Sequence, residues 1–519
     1  MATLRRAVAC AAFLPALLLP AARPLAAQVS TYQLLQTFSD LLNQIRVNYV
    51  DSVTTYHLMR GAIEGMLASL DPHSYFQEHR QSSRIDAWHA GLLGWTGIYV
   101  GDEEGAVVVM SVASGSPAER AHVSPGDRIK AVNDTVVAGL RAPDVQARLV
   151  GEDGSKVRIR LERGSRLQPD TATVTVKNAD IREISVSRAR TLAGGVGYVR
   201  LEEFLEHSGE EVSDAIERVS RRPAPRRIIL DLRGNPGGLV AAALDVLSLF
   251  LRDGQVAFRE QGRNPGANVT EIVHHDGRFS GDRLVLLIDQ WSGSSSEIVA
   301  GSLQDHDRAI ILGRRSFGKA LVQAPFYVQP AGDLVMLTIA HVVTPSGRVV
   351  QRRYEGLTVE QYYALAGKGG NAEDTTTTFK TDSGRIVRGG GGIAPDSTLP
   401  APAPPPAWFM AASDSNLDYA VADSVAAALP SGSEAAAWIG DSAHWTARLL
   451  PSLLDRVRKQ FGVAPRLDAE PAARIARLLA ARVAEVRWGK EARQDLLLAT
   501  DPDVAAAVAV LNRPFAPAR

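Results

Sequence analysis

The sequence predicts a multidomain α/β protein with four parts: an N-terminal helical module, a β-rich domain, an α/β core and a C-terminal helical extension. Three observations carry this expectation. Apolar residues recur at spacings of three and four from Thr31 to about Ala90, and short strands separated by Gly- and Pro-bearing turns fill 92 to about 180. After Gly195, apolar strands alternate with helical segments, the pattern of an α/β core. At 519 residues the chain is too long for a single core. Its 57 basic and 57 acidic residues cancel, so no net field favours nucleic acid or an anionic membrane. Only eight of the basic residues are lysines, which makes the setting of any one lysine informative.

Residues 1–27 read as a secretory signal. Arg5-Arg6 give a basic start, Ala7 to Leu19 an apolar run, and Leu25-Ala26-Ala27 a small-residue cleavage site before Gln28. Pro15, Pro20 and Arg23 break the run short of a bilayer span, so an integral membrane protein is not expected after cleavage. Cys10, the one cysteine, lies inside this segment, which leaves a mature chain without disulfides, a cysteine nucleophile or a cysteine metal site. The expected location is the periplasm or another exported compartment.

The elements follow in order. In the helical module, 28–91, Leu34, Leu35, Phe38, Leu41, Leu42 and Ile45 set the period, Leu58, Ile63, Met66 and Leu67 continue it, and Leu70-Asp71-Pro72 stops it. In the β-rich domain, 92–180, strands are expected at 98–100, 107–110, 129–132, 157–161 and 171–176, with turns at Ser124-Pro-Gly-Asp127 and Gly151-Glu-Asp-Gly154 and a short helix over 143–149. The core, 181–400, has strands at 197–201, 227–232, 284–289, 309–313 and 334–343 and helices over 209–219 and 239–251. An irregular insertion interrupts it at about 354–388, with a low-complexity loop at Asp374-Thr-Thr-Thr-Thr378. A Pro/Ala-rich linker at 401–409 leads to an Ala/Leu/Arg-rich helical region, 410–519, whose expected role is scaffold or oligomer contact.

The chemistry points to the serine run Trp291-Ser-Gly-Ser-Ser-Ser-Glu297, set between a strand and a helix, and to Lys319 after it. Serine needs a base to take its proton. The histidines form no evident Asp-His arrangement, no Gly-x-Ser-x-Gly elbow is present, and the adjacent His274-His275 would point apart on a strand, which weighs against a metal site. A lysine can replace histidine if burial lowers its pKa from about 10.4, and bringing it near 8 costs roughly 3–4 kcal/mol. Lys319 fits, with Phe317-Gly318 before it and Ala320-Leu321-Val322 after it. The bland reading of the serines is a capping box, Ser294 with Glu297, and the two are compatible because a helix N-terminus also offers unpaired N–H groups to an oxyanion. From the residues alone Ser294 leads as nucleophile, with Ser292 and Ser296 as rivals.

Two resemblances sharpen this. The order of strands, Gly115-Ser-Pro-Ala-Glu-Arg120, Ser124-Pro-Gly-Asp127 and helix resembles a PDZ domain, a family that holds a peptide's free carboxylate on loop N–H groups while the peptide adds a strand to a sheet edge. The corresponding loop would contain Gly94, Trp95, Thr96, Gly97 and Ile98, although it departs from the usual apolar-Gly-apolar-Gly form. Asp231-Leu-Arg-Gly-Asn-Pro-Gly-Gly238, Ser292-Gly-Ser-Ser-Ser-Glu-Ile298, Leu303-Gln-Asp-His-Asp-Arg308 and Ser316-Phe-Gly-Lys-Ala-Leu-Val-Gln323 together resemble the carboxy-terminal processing peptidases, or tail-specific proteases, over roughly residues 30–400. The resemblance implies a ββα-type, crotonase-like protease core, with Ser294 as nucleophile, Lys319 as general base and Gln323 orienting that base. It further implies backbone N–H groups of Gly238 (less securely Gly237) and Ser295 as the oxyanion hole. Ser295 stands where alanine is usual, and Trp291 where glycine is common. The function implied is an exported serine endopeptidase acting on proteins or peptides with free C-termini, without metal or cofactor, and compatible with an adaptor or a homo-oligomer. The alternative is a non-catalytic PDZ scaffold or peptide-binding protein on the same fold.

Overall fold

The computed structural model describes residues 30–77 and 93–513, apart from 104–105, 114, 166–167, 180, 182–183, 221–224, 329–332, 368–376 and 464. The expected leader and Cys10 lie outside the described residues. The chain divides into two compact units, up to Met66 and from Leu67 onward. In the first, α1 (Thr31–Asn48) starts at a reciprocal cap: Gln33 N–H donates to Ser30 Oγ at 3.3 Å while Ser30 N–H donates to Gln33 Oε1 at 2.9 Å. Helix α2 (Thr55–Ala68) follows. Among the described residues no helix is long and apolar enough to cross a membrane.

The helical module expected over 28–91 does not stay helical. After α2, Asp71 closes a tight turn by accepting the N–H groups of His73 (2.7 Å) and Ser74 (2.8 Å), and β1 (Tyr75–Gln77) then pairs with Leu334–Met336 of the core. An Asx-type turn before two aromatic residues favours an extended segment over a further helical turn.

The β-rich domain is antiparallel throughout. A small ladder joins β2 (Gly94–Trp95) to β7 (Val150–Gly151). The main sheet runs β3 (Ile98–Glu103), β4 (Ala106–Val112), β5 (Arg128–Val132), β8 (Lys156–Ser165), β9 (Gln168–Lys177), with β6 (Thr135–Val136) on β5. Helices α3 (Pro117–Arg120) and α4 (Ala142–Gln146) close it over a core that includes Ile98, Ile129, Val145, Leu149, Ile159 and Leu161. Each such side chain contributes about 1.5–3 kcal/mol on burial.

The α/β core contains a six-stranded sheet ordered β10 (Val186–Leu192), β11 (Val196–Leu201), β12 (Arg227–Asp231), β15 (Arg283–Ile288), β16 (Ile310–Gly313), β21 (Ser397–Thr398), parallel from β11 onward. Its strands are apolar at consecutive positions because both faces are covered. Ile228, Leu230, Leu284, Leu286 and Ile288 pack on one side with residues of α5 (Ser208–Val219), α6 (Val240–Ser248) and α7 (Ser295–Asp305). Ile229, Val285, Leu287 and Leu312 pack on the other against Val504, Ala507 and Leu511.

A second, antiparallel sheet joins β1, β18 (Asp333–Val343), β13 (Val256–Gly262) and β14 (Val269–Ile272), with β17 (Leu321–Val328) along β18. The insertion at 354–388 is partly regular: it holds α8 (Val359–Gly367) and a hairpin of β19 (Thr378–Lys380) and β20 (Ile386–Arg388). The chain ends in helices α9 (Ala407–Asp414), α10 (Leu417–Ala428), α11 (Ala435–Gly440), α12 (Trp445–Phe461), α13 (Ala469–Trp488) and α14 (Lys490–Ala499), which share one apolar core. Helix α15 (Pro502–Asn512) returns to cover the sheet.

Candidate active site

Strands β12 and β15 are parallel neighbours, so the loops leaving them emerge at the same edge of the sheet, the edge where α/β folds gather functional groups. Asn235 ties the two loops together. Its backbone carbonyl accepts the Gly293 N–H and the Ser296 hydroxyl (both 3.0 Å), its Oδ1 accepts the Gly237 N–H at 2.8 Å, and its Nδ2 donates to Leu201 O at 2.9 Å.

Within the serine run the hydroxyls divide. Ser292 donates to Leu232 O (2.7 Å), Ser295 to Gly238 O (2.9 Å) and Ser296 to Asn235 O, and all three residues are fully buried. Ser294 is half-buried, and its hydroxyl donates to no group among the described residues. It is also the strained one, with φ 53° and ψ −116°. A non-glycine residue held there costs on the order of 1–3 kcal/mol and persists only where its surroundings over-determine it. Trp291, just before the run, is 46% exposed.

Glu297 provides much of that over-determination. It is 1% exposed, and every oxygen position is used. Oε2 accepts the N–H groups of Ser294 (3.0 Å) and Lys319 (2.7 Å), while Oε1 accepts Gly318 N–H (2.7 Å) and the Ser316 hydroxyl (2.5 Å). The glutamate that caps α7 therefore holds the serine and the lysine segment on a single atom. Burial pushes its pKa up to about 7, with these donors pulling the other way.

Lys319 is half-buried, and its ammonium nitrogen has no hydrogen bond or ion pair among the described residues. Burial lowers its pKa, opposed by the charges of Glu297 and Asp71. Its neighbours are pinned. Gly318 O accepts Arg352 N–H (2.8 Å) and the Tyr362 hydroxyl (3.3 Å), and Ala320 N–H donates to Gln351 Oε1 (2.7 Å). Tyr362 is fully buried edge-on to Phe317 and His73. His73 is held neutral, its pKa lowered to about 4 by burial and then by the Lys319 charge, with Asp71 opposing.

Two N–H groups in these loops are left unpaired. Neither Gly238 nor Ser295, the first residue of α7, has a backbone hydrogen-bond partner for its N–H among the described residues, whereas the Gly237 N–H is taken by Asn235. Both glycines are obligatory here. A Cβ on Gly238 (φ 136°) would lie 2.2 Å from Phe204 O, and one on Gly237 (φ 110°) would lie 2.7 Å from Ser294 Cβ.

Gln323 stands four residues beyond Lys319 on β17. The hydrogen bond to Lys319 implied for it is absent, and its Nε2 is buried without a partner. A register shift between Val322 and Gln323 in the ladder with β18 falls at this point, a feature that re-aims the side chain beside it.

The loop 94–98 lies in the β-rich domain. Trp95 is fully buried and exchanges both backbone hydrogen bonds with Ala179 (2.9 and 3.0 Å). The carbonyls of Thr96 and Gly97 accept Ala118 N–H (3.0 Å) and Ala113 N–H (2.8 Å), while the N–H groups of both residues lack partners among the described residues. Gly97 has φ 90°, and a Cβ there would meet Ser116 Cβ at 2.2 Å.

An ion-pair cluster backs the glycine-rich loop. Arg233 contacts fully buried Asp231 (2.6 Å), Asp501 (3.0 Å) and Asp503 (2.9 Å), and Arg314 also reaches Asp503 (2.5 Å). Asn235, Asp71, His73, Tyr362 and the pair Asp501 and Asp503 were not among the sequence-predicted site residues. His274 and His275 are exposed, and among the described residues no group of three or more His, Cys, Asp or Glu side chains gathers as metal ligands would.

A β-rich domain of PDZ type joined to an α/β core whose glycine-rich and serine loops meet at one sheet edge defines a PDZ-bearing serine peptidase. Residues 195–359 match peptidase family S41 and residues 108–163 match the PDZ domain. The chain is 31% identical over 332 residues to the carboxy-terminal-processing protease of Bartonella bacilliformis, covering 62% of this chain and 74% of that one. It is 32% identical over 289 residues to the carboxyl-terminal-processing protease of a Synechocystis species (55% and 66%), and 28% identical over 317 residues to the carboxy-terminal processing protease CtpA of Bacillus subtilis (60% and 65%). The chain thus spans just under two thirds of the length of the latter two. Among solved structures, a photosystem II D1 C-terminal processing protease aligns at 25% identity and a TM-score of 0.42, over 72% of this chain and 94% of that one. The chain belongs to peptidase family S41, the carboxy-terminal processing proteases.

Proposed function

We propose that the protein is an exported serine endopeptidase that recognises protein C-termini through its PDZ domain and cleaves peptide bonds with a Ser294–Lys319 pair. The observation that carries this reading is the division among the serines. Three hydroxyls are spent on loop carbonyls, and the one left over belongs to the strained residue tethered with Lys319 on Glu297. Neutral Lys319 takes the Ser294 proton as Oγ attacks the scissile carbonyl. The N–H groups of Gly238 and Ser295 stabilise the oxyanion, and the lysine returns the proton to the leaving amine. Water, deprotonated by the same lysine, then releases the acyl group. Gln323 orients Lys319 once a rotamer change brings its amide to the ammonium nitrogen. Export rests on the leader-like residues 1–27, and the mature chain would begin at Gln28.

The test uses a polypeptide with an apolar tail and a free C-terminus. Ser294→Ala and Lys319→Ala should each lower kcat by about a thousandfold or more. Wild-type turnover by either variant would overturn the assignment, and indifference to amidation of the tail would overturn the PDZ part alone. N-terminal sequencing of the secreted protein checks the cleavage site.

A further inference from the structure

Strand β3 is the outer strand of the β-rich sheet, paired with β4 on one side and with no strand on the other among the described residues. Such an edge is where an extended peptide adds its own strand. In this protein the edge is already occupied by a side chain. Gln146, at the end of α4, donates from Nε2 to Ile98 O at 3.0 Å and accepts the Val100 N–H on Oε1 at 3.1 Å. At the other end of the same helix, Ala142 N–H donates to Asp102 Oδ1 at 2.8 Å. Helix α4 is thus laced to β3 along its length, over a fully buried Val145. The unpaired N–H groups of Thr96 and Gly97 lie just before this edge in the chain, where a terminal carboxylate would sit if a strand were added.

We propose that Gln146 sets the affinity and selectivity of this edge: its carboxamide occupies the place of an incoming peptide unit, and a C-terminal tail binds by displacing it. The proposal rests on the reading above that the domain takes free C-termini. A carboxamide offers one donor and one acceptor to Ile98 O and Val100 N–H, as main chain does, so the unliganded edge leaves neither group unpaired. The tail must replace both bonds, and short or poorly extended ends that reach only one of them are rejected.

The experiment uses the full chain carrying Ser294→Ala, so that bound peptide survives. Its probe is a fluorescent peptide ending in three apolar residues and a free carboxylate, with its C-terminal amide as the control. Adding Gln146→Ala removes two neutral hydrogen bonds from the closed form and should tighten binding of the free acid roughly tenfold. Gln146→Glu keeps the acceptor for Val100 but sets a carboxylate against the Ile98 carbonyl, and should tighten binding in the same direction. In the peptide-free protein, hydrogen exchange at the Val100 amide should speed up in Gln146→Ala. Unchanged or weaker binding by both variants, or an unchanged Val100 exchange rate, overturns the role of Gln146 while leaving tail recognition standing. A failure of every protein to distinguish the acid from the amide overturns tail recognition itself.

Discussion

Glu297→Gln separates the two jobs of the buried glutamate. Four donors converge on its two oxygens. A carboxamide of the same shape keeps one oxygen and turns the other into a donor. The Ser316 hydroxyl can rotate to accept, so the amide group should turn toward Ser316 and Gly318 and orphan the Gly318 N–H. An orphaned buried donor costs about 1–3 kcal/mol. Against that, removing the buried charge recovers the burial penalty that raises the pKa from 4.5 to about 7, worth about 3 kcal/mol. The two effects nearly cancel, so the urea midpoint should move little. Activity should not be spared, because Gly318, next to Lys319, loses its anchor and a displacement near 1 Å at the lysine costs about a hundredfold. The charge of Glu297 raises the Lys319 pKa, so its loss should also carry the rising limb of the kcat/KM pH profile to lower pH. A variant with kcat/KM within twofold of wild type, or a limb displaced upward, would refute the reasoning.

Further outcomes follow from the same geometry. Lys319→Arg should be inactive across the pH range, since a guanidinium does not give up its proton, and any recovery at high pH counts against the lysine as base. Gly238→Ala must move the Phe204 carbonyl away from a contact of 2.2 Å and should abolish hydrolysis, read as kcat/KM beside a urea melt. Arg233→Ala leaves the fully buried Asp231 with only Arg200 (3.3 Å) and the Tyr198 hydroxyl (2.7 Å) as side-chain partners and should cost about 1–3 kcal/mol of stability, while Asp503→Asn should cost about 1–2, both by denaturant titration. Dialysis against EDTA should leave peptide hydrolysis unchanged, because serine–lysine chemistry takes its proton on nitrogen and needs no metal; inhibition reversed by a divalent cation would contradict it.

The local parts of this fold were legible in the sequence. Strands that are buried on both faces announce themselves as apolar runs, and the Ser294–Glu297 cap and the Pro-Gly-Asp turn are short-range chemistry. Long-range partners were not legible. Asp71 read as a helix stop, yet its turn places His73 beside Tyr362, 289 residues away in the chain. Tyr362 sits in an insertion whose pattern is too short to declare a helix, and its hydroxyl reaches Gly318 only after the two segments pack. Asp501 and Asp503 look like an ordinary N-cap and first turn of α15, and nothing local ties them to Arg233. The serine hydroxyls were indistinguishable by composition, because what divides them is which carbonyl each one meets.

The docking of α15 on Arg233 has a consequence in time. The two residues of the Arg233–Asp503 contact are 270 positions apart, so at about 5–20 residues per second roughly 15–50 s of synthesis separate the glycine-rich loop from its brace. Until α15 arrives, one face of the central sheet is bare and Asp231 lacks the partners of Arg233 that come from the far end of the chain. A chain truncated before α15 would leave Arg233, in the glycine-rich loop, without Asp501 and Asp503.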